Sequence, residues 1–266
     1  MWQKNCYRIV VKVGTSTLTH DSGAANLYSI EKLVRVLADL QGYGHEIILV
    51  TSGAISVGTS KLNLSERPKE LRMKQAAAAV GQCQLMHFYD KFFEEYNKKV
   101  AQILLTDEDV ADPVRSEHLS GTFSALLEMG VIPIVNENDS VSSAEIETGA
   151  SKVLGDNDTL SAIVAKLCKA DMLILLSDID GLYDKDPHKN GDAKLIDVVE
   201  GLDETIEGMA GGAGTKHGTG GMVTKLNAAK IATEAGCDMI ITNGTRPQDI
   251  YDIVEGKKVG TRFLHR

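Results

Sequence analysis

The chain has 266 residues, of which 43% are hydrophobic and 24% are charged, and these proportions are typical of a soluble globular protein. Its net charge of −9 excludes the strongly basic surface with which proteins bind nucleic acid or anionic membranes. The length allows one or two domains, and the sequence contains no apolar run of about 18 residues or more that would span a membrane.

Two further features concern the cellular compartment. The N-terminal residues lack the pattern of a secretory signal peptide, so we expect a cytoplasmic protein. The four cysteines lie far apart and form no C-x-x-C pair, and each lies in an apolar or helical segment. We therefore expect buried, reduced thiols at Cys6, Cys83, Cys168 and Cys237.

Segments rich in β-branched residues alternate along the chain with segments whose apolar residues recur at helical spacing. The predicted strands are residues 7–13, 46–51, 100–106, 131–135, 172–177, 238–242 and, as an edge strand, 259–264. The predicted helices are residues 29–42, 69–96, 117–129, 159–168, 221–235 and 248–255. This alternation favours parallel strand pairing, and no linker or repeat divides the chain. We predict one domain over residues 1–266, an α/β three-layer α/β/α sandwich with a mostly parallel central sheet.

The first predicted strand contains Lys12 within an otherwise apolar segment and ends at Gly14. Burying an ammonium is unfavourable unless it reaches solvent or an anion. Because open α/β sheets bind ligands at the carboxyl ends of their strands, Lys12 is a candidate anion ligand. The alternative is a lysine that merely extends to solvent.

Residues 218–225, Gly-Thr-Gly-Gly-Met-Val-Thr-Lys, follow a predicted glycine-rich loop at 208–217 and precede a predicted helix. The glycines leave backbone N–H groups uncovered, and the start of the helix adds partial positive charge. Thr224 and Lys225 add a hydroxyl and an ammonium, so the segment is suited to holding phosphates. Taken alone, the same pattern also fits a flexible surface loop in front of an ordinary helix.

Polar residues follow several of the other predicted strands. They are Ser52-Gly53-Ala54, Asn136-Glu137-Asn138-Asp139 and Ser177-Asp178. A further polar run, Gly155-Asp156-Asn157-Asp158, precedes the helix at 159–168. Helix capping explains one of its residues but not three in succession. We expect a polar site where these turns meet, with residues 140–154 forming a loop or hairpin over it.

Several common signatures are absent from the sequence. There is no G-x-x-x-x-G-K-[ST] phosphate loop, no G-x-G-x-x-G after a strand, no protein-kinase set and no G-x-S-x-G nucleophile elbow. The seven histidines show no H-E-x-x-H or similar spacing, so a zinc site is not expected. A dinucleotide-binding dehydrogenase is excluded because its fingerprint after the first strand is missing.

The turns named above occur in the order and with the composition of the glutamate 5-kinase family, within the amino acid kinase superfamily, and the resemblance extends over essentially the whole chain. The matching segments are Val11-Lys12-Val13-Gly14-Thr15-Ser16, Val50-Thr51-Ser52-Gly53-Ala54-Ile55, Lys74-Gln75, Ala78-Ala79-Val80-Gly81-Gln82, Val135-Asn136-Glu137-Asn138-Asp139, Gly155-Asp156-Asn157-Asp158 and Gly218-Thr219-Gly220-Gly221-Met222-Val223-Thr224-Lys225. The resemblance implies ATP-dependent phosphorylation of the L-glutamate side-chain carboxylate to L-glutamyl 5-phosphate, the first step of proline biosynthesis. A carboxylate with a reference pKa of about 4.3 is already ionised at neutral pH, so the reaction needs no general base.

The same resemblance implies a role for each matching residue. Lys12 and Lys225 would hold the phosphates and stabilise the transition state, and Asp158 would orient both lysines by ion pairing. L-Glutamate would be bound by Ser52, Gly53, Ala54, Asp139 and Asn157. The ATP pocket would be formed by Lys12, Gly14, Ser177, Asp178, Thr219, Gly220, Gly221, Met222, Val223, Thr224 and Lys225. Mg²⁺ would be carried mainly by the ATP phosphates, so no protein ligand to a metal is named.

The resemblance also has consequences for partners and for the extent of the chain. We expect a homo-oligomer, a dimer or tetramer, with proline as a candidate feedback inhibitor and with no nucleic-acid or membrane partner. Two departures stand out: the sequence lacks the C-terminal PUA domain of many family members, and residues 147–152 lengthen one loop. The alternatives are another member of the superfamily, such as an acetylglutamate or aspartate kinase, and a non-catalytic nucleotide or amino-acid sensor.

Overall fold

The computed structural model describes residues 6–141, 156–187, 189–210 and 221–265. Within these ranges the strands form one eight-stranded sheet. The strands are β1 (Arg8–Val13), β2 (Glu46–Val50), β3 (Lys99–Leu105), β4 (Val131–Glu137), β5 (Met172–Ser177), β6 (Val198–Val199), β7 (Asp238–Asn243) and β8 (Thr261–Phe263). Their order across the sheet is β3-β4-β2-β1-β5-β7-β8-β6. The six strands from β3 to β7 in that order pair in parallel, and β8 runs antiparallel to β7.

Helices cover both faces of this sheet. They are α1 (Thr15–Leu18), α2 (Leu27–Gly42), α3 (Ala54–Lys61), α4 (Leu71–Glu94), α5 (Asp107–Ala111), α6 (Pro113–Glu128), α7 (Asn157–Cys168), α8 (Glu204–Ala210), α9 (Met222–Glu234) and α10 (Asp249–Val254). Alternate residues of β1 enter opposite cores: Ile9 packs with α2 and α4, and Val10 packs with α6, α7 and α9. This alternation is the two-residue period of a strand that is buried on both faces. The predicted α/β/α sandwich with a mostly parallel sheet is confirmed.

Three helices begin earlier than predicted because polar residues cap them. Asn26 caps α2, which begins at Leu27. Asp156 accepts hydrogen bonds from the N–H groups of Asp158 and Thr159 at 2.8 and 2.9 Å, so α7 begins at Asn157. Asp112 caps α6 in the same way and Pro113 occupies its first turn, a position that favours proline. Asn157 and Asp158 therefore lie in the first turn of α7, and not ahead of it as predicted.

Other expectations about elements are wrong. The last predicted strand is not at an edge, because β8 pairs with β7 on one side and with the two-residue β6 on the other. The short elements α1, α3, α5, α8 and β6 were not predicted, because segments this short contain too few residues to show a hydrophobic period. Residues 208–210 belong to α8 and not to the loop predicted at 208–217. Residues 211–217, and most of the predicted loop at 140–154, lie outside the described residues.

The expectation of four buried thiols is half right. Cys168 and Cys237 are buried, and burial raises the pKa of each to about 12. Cys6 and Cys83 are exposed, and all four are free thiols. Cys83 lies on α4, whose buried residues follow a different face of the helix. Over the residues described, no helix has the length and apolar character needed to cross a membrane.

The topology gathers the polar turns at one edge of the sheet. The chain builds β2, β3 and β4 on one side of β1, and after α7 it builds β5 and β7 on the other side. The carboxyl ends of β1, β2, β4, β5 and β7 consequently lie at the same edge. A ligand in such a sheet binds outside the carboxyl ends, at the point where the strand order reverses.

A close crossing of α3 and α4 supports part of this edge. A Cβ atom placed on Gly81 would lie 1.8 Å from the carbonyl oxygen of Ala54, and one on Gly58 would lie 1.8 Å from that of Ala77. The two backbones therefore touch, and no larger residue fits at either glycine. Because Ala54 is the first residue of α3, this contact fixes the turn that follows β2.

Candidate active site

Two lysines from distant parts of the sequence meet one aspartate at the carboxyl edge of the sheet. The Nζ atom of Lys12, near the end of β1, lies 2.6 Å from Oδ1 of Asp158. The Nζ atom of Lys225, in the first turn of α9, lies 3.1 Å from Oδ2 of the same carboxylate. The side chains of Lys12, Asp158 and Lys225 are only 12%, 2% and 8% exposed. The structure thus brings together the three residues predicted to be catalytic.

The two lysines determine the ionisation of Asp158. Burial alone would raise the pKa of Asp158, but the two ammonium groups outweigh it and lower that pKa to about 2. The carboxylate is therefore ionised at neutral pH, and two positive charges face one negative charge. Two ammonium groups with little exposure to solvent attract an anion much more strongly than an exposed lysine pair would.

Local sequence explains why Asp158 and Lys225 face each other. The cap at Asp156 begins α7 so that Asp158 lies in its first turn, where a negative charge is favourable. The N-cap of α9 is Gly221, which offers no side-chain acceptor to the first N–H groups of the helix. Thr224 Oγ1 lies 3.1 Å from Asp158 Oδ2 and 2.8 Å from the carbonyl oxygen of Gly221. The hydroxyl that was predicted for phosphate binding thus also contacts the aspartate.

A second group of residues predicted for the site lies beside this cluster. Asn157 Nδ2 donates a hydrogen bond of 3.0 Å to Ser52 Oγ, and that hydroxyl donates one of 3.0 Å to the carbonyl oxygen of Val13. These bonds join the ends of β1, β2 and α7. The Oδ1 atom of Asn157 is buried and accepts no hydrogen bond from any described residue. It is available to a donor on a bound molecule.

Backbone conformation sets the turn after β2. Gly53 has a φ of +91°, a left-handed conformation that residues with side chains rarely adopt. It is also the N-cap of α3 and provides no side-chain hydrogen bond there. Ala54 is buried against α4. The predicted substrate residues Ser52, Gly53 and Ala54 therefore form a rigid turn with open N–H groups at a helix start.

Asp139 lies in the turn after β4, next to the same edge. The strand runs through Asn136 and Glu137, two residues further than predicted, and Asn138 then donates a backbone hydrogen bond of 2.8 Å to Leu105. Asp139 follows directly and is partly exposed. Behind it, the buried side chain of Asn136 donates a hydrogen bond of 2.9 Å to Gln82 on α4.

The residues predicted to bind the nucleotide do not all lie together in the structure. Ser177 is the last residue of β5, and its Oγ donates a 3.0 Å hydrogen bond to Oδ1 of Asp178, which follows the strand. Gly14 lies near the ammonium group of Lys12: a Cβ there would be 3.7 Å from it. Met222 packs into the core, whereas Val223 is 54% exposed. Thr219 and Gly220 lie outside the described residues.

A polar cluster around Asp180 was not predicted. Asn243, the last residue of β7, and Arg246, in the turn that follows, donate hydrogen bonds of 3.0 and 2.8 Å to Asp180 Oδ1. The sequence signal was the second aspartate in Asp178-Ile179-Asp180-Gly181, which propensity explains equally well as an ordinary turn.

The donor set bears on how a metal would be held. Among the described residues no group of three or more His, Cys, Asp or Glu residues has the arrangement of a metal site. The carboxylate of Asp158 already contacts two ammonium groups, so it is not free to bind Mg²⁺.

Comparison with known proteins agrees with this geometry. The model of the amino acid kinase family matches residues 7–243. The chain is 57% identical over 260 residues to glutamate 5-kinase of Clostridium tetani, covering 98% of this chain and 95% of that protein. It is 56% identical to glutamate 5-kinase of Caldanaerobacter subterraneus, covering 97% of this chain and 68% of that protein. The structure of carbamate kinase from Giardia lamblia bound to AMP-PNP has the same fold, with a TM-score of 0.67 at 15% identity over 98% of this chain and 99% of that one. The chain belongs to the amino acid kinase family.

Proposed function

We propose that this protein transfers the γ-phosphoryl group of ATP to the side-chain carboxylate of L-glutamate, forming L-glutamyl 5-phosphate for proline biosynthesis. The observation that carries the proposal is the buried Lys12–Asp158–Lys225 cluster at the carboxyl edge of the sheet. The substrate assignment is supported by relatives named glutamate 5-kinase at 52–57% identity over almost the whole chain.

The charge of the cluster suits this reaction. The attacking carboxylate is ionised at neutral pH, so the difficulty is to bring it to a polyanion, and not to remove a proton. Each ammonium about 4 Å from a phosphoryl oxygen contributes roughly 4 kcal/mol at an effective dielectric constant near 20. Lys12, from the end of β1, and Lys225, from the first turn of α9, would approach the transferring group and stabilise charge as it develops. Mg²⁺ bound to the ATP phosphates would supply further neutralisation.

Asp158 would act through the lysines. Its contacts hold both ammonium groups in place before the substrates bind, which lowers the reorganisation needed during transfer. In this role the carboxylate positions and does not accept a proton, consistent with the low pKa that the two lysines impose.

The L-glutamate site would lie between the turns after β2 and β4. The N–H groups at Gly53 and Ala54 and the pair of Ser52 with Asn157 offer donors, and Asn157 Oδ1 offers an acceptor. Asp139 would bind the α-ammonium group. The ATP would lie on the other side of the cluster, against Gly14, Ser177, Asp178 and the residues from Thr219 to Lys225.

We also propose a cytoplasmic homo-oligomer that uses Mg²⁺ with ATP and for which proline is a candidate inhibitor. These assignments rest on the family and on the chemistry of the site. Size-exclusion chromatography with light scattering and a proline titration of the activity would test them.

The deciding experiment is acyl phosphate formation with MgATP, trapped as the hydroxamate, with L-glutamate beside L-aspartate and N-acetylglutamate. We expect a hydroxamate with L-glutamate alone. A product formed only from another acceptor would overturn the substrate, and no product from any acceptor would overturn the kinase assignment. In the same assay Lys225→Met should lower kcat with little change in the KM for glutamate. Lys230→Met, on the exposed face of the same helix, is the matched control and should leave kcat unchanged.

A further inference from the structure

Two turns at the carboxyl edge of the sheet are joined by polar contacts centred on Asp180. The first turn begins at Ser177, the last residue of β5, and carries Asp178 and Asp180. The second begins at Asn243, the last residue of β7, and carries Arg246. Asp180 Oδ1 accepts hydrogen bonds from Arg246 Nη2 at 2.8 Å and from Asn243 Nδ2 at 3.0 Å. One carboxylate on the first turn is thus held by two side chains of the second.

The second turn is itself held in a defined shape. Asn243 Oδ1 accepts hydrogen bonds from the N–H and the hydroxyl of Thr245, at 3.0 and 2.7 Å. The N–H of Gly244 donates a bond of 2.7 Å to the carbonyl oxygen of Ser177. Because Asn243 uses its oxygen within its own turn, its amide nitrogen is the atom left to face Asp180. The contact is therefore directional and not a loose attraction of charges.

The exposure of the pair argues for a local role. The side chains of Asp180 and Arg246 are 43% and 48% exposed, and ion pairs of that exposure contribute little to global stability. The hydrogen bond from Arg246, followed by that from Asn243, lowers the pKa of Asp180. The carboxylate thus stays ionised and bonded over the neutral range. The contacts of Asp180 therefore restrict the motion of one turn, which begins at Ser177.

We propose that Asp180 is a positioning residue for ATP. Its hydrogen bonds hold the Ser177–Asp178 turn against the turn after β7. This inference rests on the proposed function, because the β5 turn is assigned to the nucleotide there. A carboxylate beside a site for a polyanion is otherwise unfavourable, and Arg246 offsets its charge. Asp180 itself needs no contact with the ATP: loss of its bonds would let the β5 turn move and would weaken ATP binding.

The chain offers a matched set of variants. Asp180→Ala removes both bonds and a longer one of 3.4 Å that the Tyr183 hydroxyl donates to Asp180 Oδ2, whereas Asp180→Asn keeps an oxygen that Arg246 and Asn243 can donate to. Arg246 Nε also contacts Oδ2 of Asp249, the first residue of α10, at 3.0 Å, so Asp249→Asn removes an ion pair of the same arginine without releasing the β5 turn. Asp197, paired with Lys258 at 3.2 Å on an exposed surface, gives a remote control as Asp197→Asn.

The test is the Kd of MgATP by calorimetry in the full chain, together with steady-state kinetics. We expect Asp180→Ala to raise the Kd and the KM for ATP about tenfold, the effect of losing one good polar contact. The kcat and the KM for glutamate should stay near those of the wild type. Asp180→Asn should restore most of the ATP affinity, and both control variants should match the wild type.

Three results would overturn the inference. They are an unchanged Kd in Asp180→Ala, a lower Kd because the released Arg246 attracts phosphate, and an equal loss in Asp249→Asn. A wild-type chain that binds MgATP but does not phosphorylate glutamate would refute the proposed substrate, and the Kd series would still decide the role of Asp180. A wild-type chain that does not bind MgATP would refute both.

Discussion

Replacing Asp158 by asparagine tests the electrostatic reasoning most directly. The substitution keeps the size of the side chain and removes its charge. Lys12 and Lys225, whose Nζ atoms lie 2.6 and 3.1 Å from the carboxylate, then both lose this negative charge.

Two independent figures bound the cost in stability. The pKa of Asp158 falls from 3.8 to about 2, and at about 1.4 kcal/mol per pKa unit the folded state favours the ionised form by roughly 2.5 kcal/mol. Breaking a buried ion pair by removing one partner typically costs about 3–5 kcal/mol. We expect a loss of about 3 kcal/mol, since both lysines keep slight solvent access. For a chain of this size that corresponds to a fall in Tm of about 6–12 °C.

The assay combines thermal unfolding with kinetics. Because the folded-state pKa of Asp158 is depressed, its stabilisation is fully present above pH 3.8 and is lost as the pH falls through about 2. Inorganic phosphate should raise the Tm of the Asp158→Asn variant more than that of the wild type, since the variant lacks the negative charge that Asp158 places beside both ammonium groups. The kcat should fall about 100-fold. An unchanged Tm together with an unchanged kcat would refute the reasoning, and Asp197→Asn, at an exposed pair, should change neither.

Further predictions concern packing and pH. Gly81→Ala should destabilise the fold by about 1–3 kcal/mol and raise the KM for glutamate, because its Cβ would lie 1.8 Å from the first carbonyl oxygen of α3. Gly121→Ala, on α6 with no atom within 4 Å of the added Cβ, should instead stabilise by about 0.5–1 kcal/mol, and urea unfolding distinguishes the two. Tyr89→Phe breaks a buried 2.7 Å hydrogen bond with Thr51 and should lower the free energy of unfolding by about 1–2 kcal/mol. The double variant with Thr51→Val should lose less than the sum of the two single variants, and additive losses would contradict this. Burial lowers the pKa of His45, so stability should decline as the pH falls below 6.5, and His45→Gln should flatten that decline in Tm scans.

Much of the fold could be predicted from local sequence. The core strands β1, β2 and β5 consist of apolar runs, and α2 has apolar residues along one face. These residues are buried in the structure, because burial on a sheet or on one helix face requires such patterns. Short elements escaped prediction because too few residues carry a period.

The polar turns at strand ends were also evident from sequence, because glycine, asparagine and aspartate there have no role in a core. Their family resemblance identified the kind of chemistry. Alternation of strands and helices further implied that the turns would share one edge.

Which side chains meet at that edge was decided only by the tertiary structure. Lys12 and Lys225 converge on Asp158 because β1 lies at the centre of the sheet and α7 and α9 pack on the same face. The link from Asp180 to Arg246 exists because β5 and β7 are neighbours. Such contacts depend on strand order and on the packing of elements far apart in sequence, and local propensities carry no information about either.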